Sequence, residues 1–129
     1  MTDKITVAGG CLCGAVRYRA TGHPLHSTIC HCANCRRASG AQSVAWLTFP
    51  VERFTFVQGE PSRYRTDTQA VRTFCGQCGS PLTYQNDDRI RDIDVNTGTA
   101  DDPEAFPPTK DVFPEDRISW VPLTDPKES

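Results

Sequence analysis

Seven cysteines in a chain of 129 residues fall into three tight groups, and no other feature limits the fold as strongly. Cys11 and Cys13 stand in "CLCG", Cys30, Cys32 and Cys35 in "ICHCANCRR", and Cys75 and Cys78 in "CGQCG". An odd count leaves any disulfide framework incomplete, so close-set thiols point to metal before disulfides. The opening "MTDKITVAGG" lacks the apolar stretch of a secretory signal, and no apolar run nears the roughly 20 residues that cross a bilayer. The expected setting is the cytoplasm, where thiols stay reduced, with no membrane partner.

Glycines at 14, 76 and 79 let backbone amides turn toward sulfur in the first and last groups. Two such knuckles supply four thiolates, so Cys11, Cys13, Cys75 and Cys78 are expected to close around a structural zinc. Loop-closure entropy grows slowly with length, whereas structural zinc contributes about 10–16 kcal/mol in small peptides. The metal can therefore staple distant segments of a small sheet. Cys30, Cys32 and Cys35 remain as a trio, the ligand count of a zinc that keeps one position open. Two other divisions stay open. Cys32 and Cys35 could join Cys75 and Cys78 in a zinc ribbon, or form a redox dithiol, although the βαβ surroundings of the latter are lacking.

A zinc held by three thiolates is soft and anionic, which suits a fourth, sulfur ligand better than hydroxide. The expected visitor is a small-molecule thiol, deprotonated on the metal. Its chemistry would be addition to an aldehyde or the reverse carbon–sulfur cleavage. Arg36 and Arg37 would offset the charge and bind carboxylates of a thiol such as glutathione, with Arg72 as a further candidate. Two zincs per chain are expected, the second of them labile because its site is open. In an extended segment His31 points away from Cys30 and Cys32, so it belongs on the far face, packed or hydrogen-bonded. His23 and His26 are expected in an exposed "GHPLH" turn.

The remainder reads as short strands. In "AVRYRA", Val16 and Tyr18 share one face, with Arg17 and Arg19 on the other. "ITV", "SVAWLTF", "RFTFVQG", "SRYRT", "VRTFC", "PLTYQ", "DIDVNTG" and "RISWVPL" continue the pattern. Short helical pieces are expected near "CANCRRAS" and "DDPEAF". The predicted core includes Val16, Tyr18, Trp46, Leu47, Phe54, Phe56, Ile93 and Val95, with Trp46 and Phe49 as alternative pocket walls. No repeat or linker divides the chain, so one domain over residues 1–129 is expected, its core at about 5–122, with the tail "TDPKES" frayed. A formal charge of −2 without a clustered basic face argues against nucleic acid as a partner.

In order and spacing, "GGCLCGAVRY", "CHCANCRRASGA", "RTFCGQCGSPLTY" and "DVNTGTADDPEAFPPTKDVFPEDRISWV" resemble the glutathione-dependent formaldehyde-activating (GFA) or centromere protein V domain family. The resemblance implies a mainly β, zinc-stapled Mss-four-like fold with one or two short helical turns. It implies a structural zinc at the four paired cysteines and a catalytic zinc at the trio. The implied activity is a carbon–sulfur lyase converting S-hydroxymethylglutathione reversibly to glutathione and formaldehyde. Many relatives carry histidine where this chain has Asp111 in "KDVF". A non-catalytic zinc module, either a thiol carrier or a protein-interaction domain, is the alternative reading.

Overall fold

The computed structural model describes residues 5–124. The first four residues, and all of the tail "TDPKES" beyond Thr124, lie outside the described residues. The chain forms β1 (Thr6–Gly10), β2 (Arg17–Thr21), β3 (His26–Cys30), α1 (Ala33–Ser39), β4 (Val44–Pro50) and β5 (Phe54–Gln58). It continues through β6 (Ser62–Arg65), β7 (Ala70–Phe74), β8 (Pro81–Asn86), β9 (Asp92–Asn96) and β10 (Lys110–Val112). The fold is mainly β, as the sequence leads one to expect. The two expected helical pieces are present as α1 and a 3-10 turn at Pro103–Ala105.

The strands form two sheets. One has the order β1-β2-β5, and the other runs β10-β3-β4-β9-β8-β7-β6. Neighbours are antiparallel except β10, which lies parallel to β3. Between the sheets Val7, Tyr18 and Ala20 meet Leu47, Phe49, Ile93 and Val95. Full burial of such aliphatic and aromatic side chains stabilises by about 1.5–3 kcal/mol each. In β2 the alternation holds: Tyr18 and Ala20 are buried, while Arg19 and Thr21 are exposed. Phe54 and Phe56 are only half-buried at the margin of this core.

β4 is buried over most of its length because it has two covered faces. Leu47 and Phe49 enter the core between the sheets, whereas Val44 and Trp46 pack with Cys30 and Cys35 on the opposite face. A bulge in the β7–β8 pair keeps this separation. Thr73 faces Thr83 and Phe74 faces Pro81, which leaves Leu82 as the extra residue, turned into the core. Beyond the bulge Arg72 faces Tyr84 on the β4 face that carries Trp46.

Three segments differ from the sequence expectation. His26 opens β3 instead of lying in a turn, because Ser27 and Leu47 pair in register and extend the sheet. β10 pairs with the outer edge of β3. "RISWVPL" forms no strand: Arg117 donates to the carbonyls of Ser119 and Val121, and Pro122 has no amide to give a ladder. Val121 is buried there while Trp120 is exposed. Among the described residues no helix is long and apolar enough to cross a membrane.

Gly9 sits at a close backbone approach in the core. A methyl group there would overlap the Tyr18 hydroxyl and the Thr99 carbonyl. Tyr18 donates to Thr99 Oγ1 at 2.7 Å, since Thr99 gives its own proton to the Asn96 carbonyl. Burial pushes the Tyr18 phenol up to about 12, so it remains a neutral donor. Gly9→Ala is expected to destabilise the fold by about 1–3 kcal/mol, the usual cost of overpacking. The check is urea unfolding, with a lower midpoint at unchanged slope.

Candidate metal centres and the groove between them

The turn from β1 to β2 presents Cys11 and Cys13, and the turn from β7 to β8 presents Cys75 and Cys78. Their four sulfurs lie within 4.8 Å of one another. Tetrahedral zinc with sulfur at about 2.3 Å requires sulfurs about 3.8 Å apart. Cys11 and Cys13 stand 3.7 Å apart, and Cys13 and Cys75 3.8 Å. Amides aim at these sulfurs, from Val16 to Cys11 at 3.2 Å and from Gln77 to Cys75 at 3.3 Å. Gly14 and Gly79 take the positive φ that these turns need. Ser80 draws the Cys78 thiol down to about 5, with its hydroxyl the largest influence. The donor set and spacing fit a metal ion closed in by four thiolates.

The second cluster is built by one local turn. β3 ends at Cys30, Cys32 caps α1 by accepting the Cys35 amide at 3.3 Å, and Cys35 lies on the buried side of the helix. The three sulfurs lie within 4.8 Å of one another. Among the described residues no fourth Cys, His, Asp or Glu ligand joins them. The division of thiols is thus four plus three; Cys32 and Cys35 do not share a cluster with Cys75 and Cys78. Cys30 draws Cys35 down to about 5, and Arg72 adds to this against the effect of burial. Contact with Cys35, followed by burial, pushes Cys30 up. A thiolate at Cys35 is the form that a metal takes.

Of the three arginines considered from the sequence, Arg72 is the one at the sulfurs. Its Nη2 stands 3.6 Å from Cys35 Sγ, and its guanidinium lies over the Tyr84 ring at 4.7 Å. Arg37 is exposed and lines a neighbouring cavity. Arg36 is half-buried, its Nε has no partner, and it lines neither that cavity nor the groove beside the thiols. The groove itself, about 660 Å³, runs from the three thiols across the β4 face of the larger sheet. Trp46, a candidate pocket wall in the sequence, lines it, whereas Phe49 is wholly in the core. Beyond the thiols its lining includes His26, Asp88, Arg89, Asp94 and Lys110. Asp94 is held by Thr48 at 2.6 Å and Arg89 at 2.8 Å.

His31 projects away from the thiols, as strand alternation predicts. It is 1% exposed, and its Nε2 donates to Asp111 Oδ1 at 2.7 Å. An ionised carboxylate only accepts, which fixes the ring proton on Nε2. Asp111 also accepts the Thr124 amide at 2.9 Å and the Thr124 hydroxyl. This partnership, across 80 positions of sequence, had no local signal. His23 is exposed as expected, while His26 is exposed within β3 at the groove.

A small mainly β protein with two thiol clusters, each able to hold a metal ion, is the class that fold and site define. The sequence model of the family described as "Glutathione-dependent formaldehyde-activating enzyme" matches residues 6–116, and the chain belongs to that family. It is 30% identical over 84 residues to an uncharacterized lyase of Schizosaccharomyces pombe. That match covers 59% of this chain and 55% of the yeast protein, so the chain spans little more than half the length of that relative. The crystal structure of a Rhodobacter sphaeroides protein shares the fold, with a TM-score of 0.66 and 23% identity. The superposition covers 81% of this chain and 99% of the other.

Burial alone would raise the Asp111 carboxyl, but donation from Thr124 and then His31 outweighs it and holds the group below its ordinary range. Its contribution to stability is then complete above about pH 4 and is lost as the pH falls toward the lowered folded value. Asp111→Asn is expected to cost about 1.5–3 kcal/mol at neutral pH, as for hydrogen bonds to a charged group. Acid titration of stability should show a shallower loss in the variant than in the wild-type protein.

Proposed function

We propose that this protein is a zinc-dependent carbon–sulfur lyase acting on a thiol–aldehyde adduct of the S-hydroxymethylglutathione type. The observation that carries the reading is a cluster of three thiols, without a fourth protein ligand among the described residues, at one end of a charged groove. Family membership and the similarity to a protein named as a lyase support the same class.

In this reading Cys11, Cys13, Cys75 and Cys78 hold a structural zinc, and Cys30, Cys32 and Cys35 hold the catalytic one. Zinc bound by three thiolates supplies a soft centre with one exchangeable position, suited to a sulfur ligand. Arg72 offsets the negative charge of the cluster from beside Cys35, the role that the sequence alone assigned to Arg36 and Arg37. Arg37 remains available to assist from the adjoining cavity. Arg89 and Lys110 offer cationic partners for carboxylates of a peptide-like thiol, and Asp88 a partner for its ammonium group. In the lyase direction the carbon–sulfur bond breaks with its electron pair passing to sulfur. The adduct hydroxyl gives up its proton as the carbonyl forms, and the thiol leaves carrying a proton.

Metal analysis and activity on one sample test this. The wild-type protein is expected to hold two zincs and release formaldehyde from S-hydroxymethylglutathione. Cys32→Ser should drop to one zinc and lose turnover by about 100-fold or more, as for loss of a group central to the reaction. A single zinc that survives Cys32→Ser would overturn the catalytic assignment. Arg72→Met separately should raise KM and weaken retention of the second zinc, without removing the first.

A further inference from the structure

Two cavities lie near the three-thiol cluster, and one of them has the thiols among its walls. The charged groove holds the thiols, and a second cavity of about 670 Å³ lies between α1 and strands β6 to β8. They share Asn34, Trp46 and Arg72 as common walls, so they meet beside the cluster. Their chemistry differs. The groove carries His26, Asp88, Arg89, Asp94 and Lys110. The second cavity has aromatic walls at Trp46, Tyr64 and Phe74 set among polar ones at Thr66, Thr73 and Thr83, with Arg37 and Asp67 as its charged groups apart from Arg72.

An adduct with its sulfur at the cluster has two arms, the thiol's body and the aldehyde's substituent. The charged groove suits a peptide-like thiol. Formaldehyde contributes a single carbon and would leave the second cavity unused. A cavity of this volume is of the size that takes most of a drug-sized ligand, and its three aromatic walls suit a ring. We infer that the second cavity receives the aldehyde arm, and that the substrate class is a hemithioacetal of an aldehyde bearing an aromatic, ring-sized substituent. The reaction is the one described above, with a larger group on the carbon: the carbon–sulfur bond breaks toward sulfur, and the hydroxyl proton is released as the aldehyde forms. Trp46, which walls both cavities and packs against Tyr84 at 6.1 Å between ring centres, separates the two arms.

This inference rests on the proposed function for the identity of the arms, and a binding measurement separates the two. Calorimetry on the zinc-loaded full chain compares S-benzylglutathione with S-methylglutathione, stable thioethers that differ only in the second arm. The benzyl compound is expected to bind about tenfold more tightly or better. Ala38→Trp, a change at an exposed helix position facing the second cavity, should bring the ratio of the two affinities close to one. Equal affinities in the wild-type protein, or a benzyl preference that Ala38→Trp leaves intact, would overturn the inference. Turnover of S-hydroxymethylglutathione is measured alongside. Its presence with equal affinities keeps the lyase reading and removes the second arm. Its absence together with a benzyl preference that Ala38→Trp erases keeps the aromatic subsite and removes the lyase reading.

Discussion

Convergence of Cys11, Cys13, Cys75 and Cys78 is the constraint on which the remaining architecture depends. These thiols join the β1–β2 hairpin of the small sheet to the β7–β8 turn of the large one, at the margin of the core between them. A domain of this size has a net stability of about 5–15 kcal/mol. A bound structural zinc contributes on that same scale, so in the proposed role this one cluster decides whether the two sheets stay together. Cys11 and Cys75 are themselves buried members of the core, which couples packing to ligation.

With the sheets held, β4 can serve both sides of the larger one. Leu47 and Phe49 close the core, while Val44 and Trp46 form the floor beside the three-thiol cluster. The bulge at Leu82 preserves the separation, since it sends that side chain inward and leaves Tyr84 and Arg72 on the groove side. Behind the cluster, His31 and Asp111 fix the segment that carries Cys30 and Cys32 through a buried hydrogen bond to β10. The groove floor is thus a consequence of sheet packing, and its rim is completed from outside the strands by Thr68, Asp88, Arg89 and Phe113.

Much of this was legible in the chain. Cysteine spacing gave the three groups of thiols, because ligands close in sequence must be close in space. The union of the first and last groups, which was one of the divisions it allowed, depends on the β1–β2 and β7–β8 turns meeting. Strand parity gave the outward turn of His31 and the two faces of β2. The segment His26–Cys30 was hidden because its groove-facing residues, His26 and Thr28, are polar, so no apolar alternation marks it as a strand. β10 has three residues and is held by pairing, not composition. Arg72 could not be ranked above Arg36 and Arg37, since adjacency in sequence favoured the pair that follows Cys35. Only the β7–β8 register brings Arg72 to the sulfur. The Asp111–His31 pair, like the boundary between the two cavities, depends on contacts far apart in sequence.

The central claim is that one thiol cluster is closed and the other open to an incoming thiol. Zinc X-ray absorption on the fully loaded protein, before and after glutathione, tests this most directly. Seven thiolates shared by two zincs give an average near 3.5 sulfurs per metal, rising to about four when a thiol enters the open position. An average already at four without glutathione, or one that does not rise on saturation with it, would contradict the account.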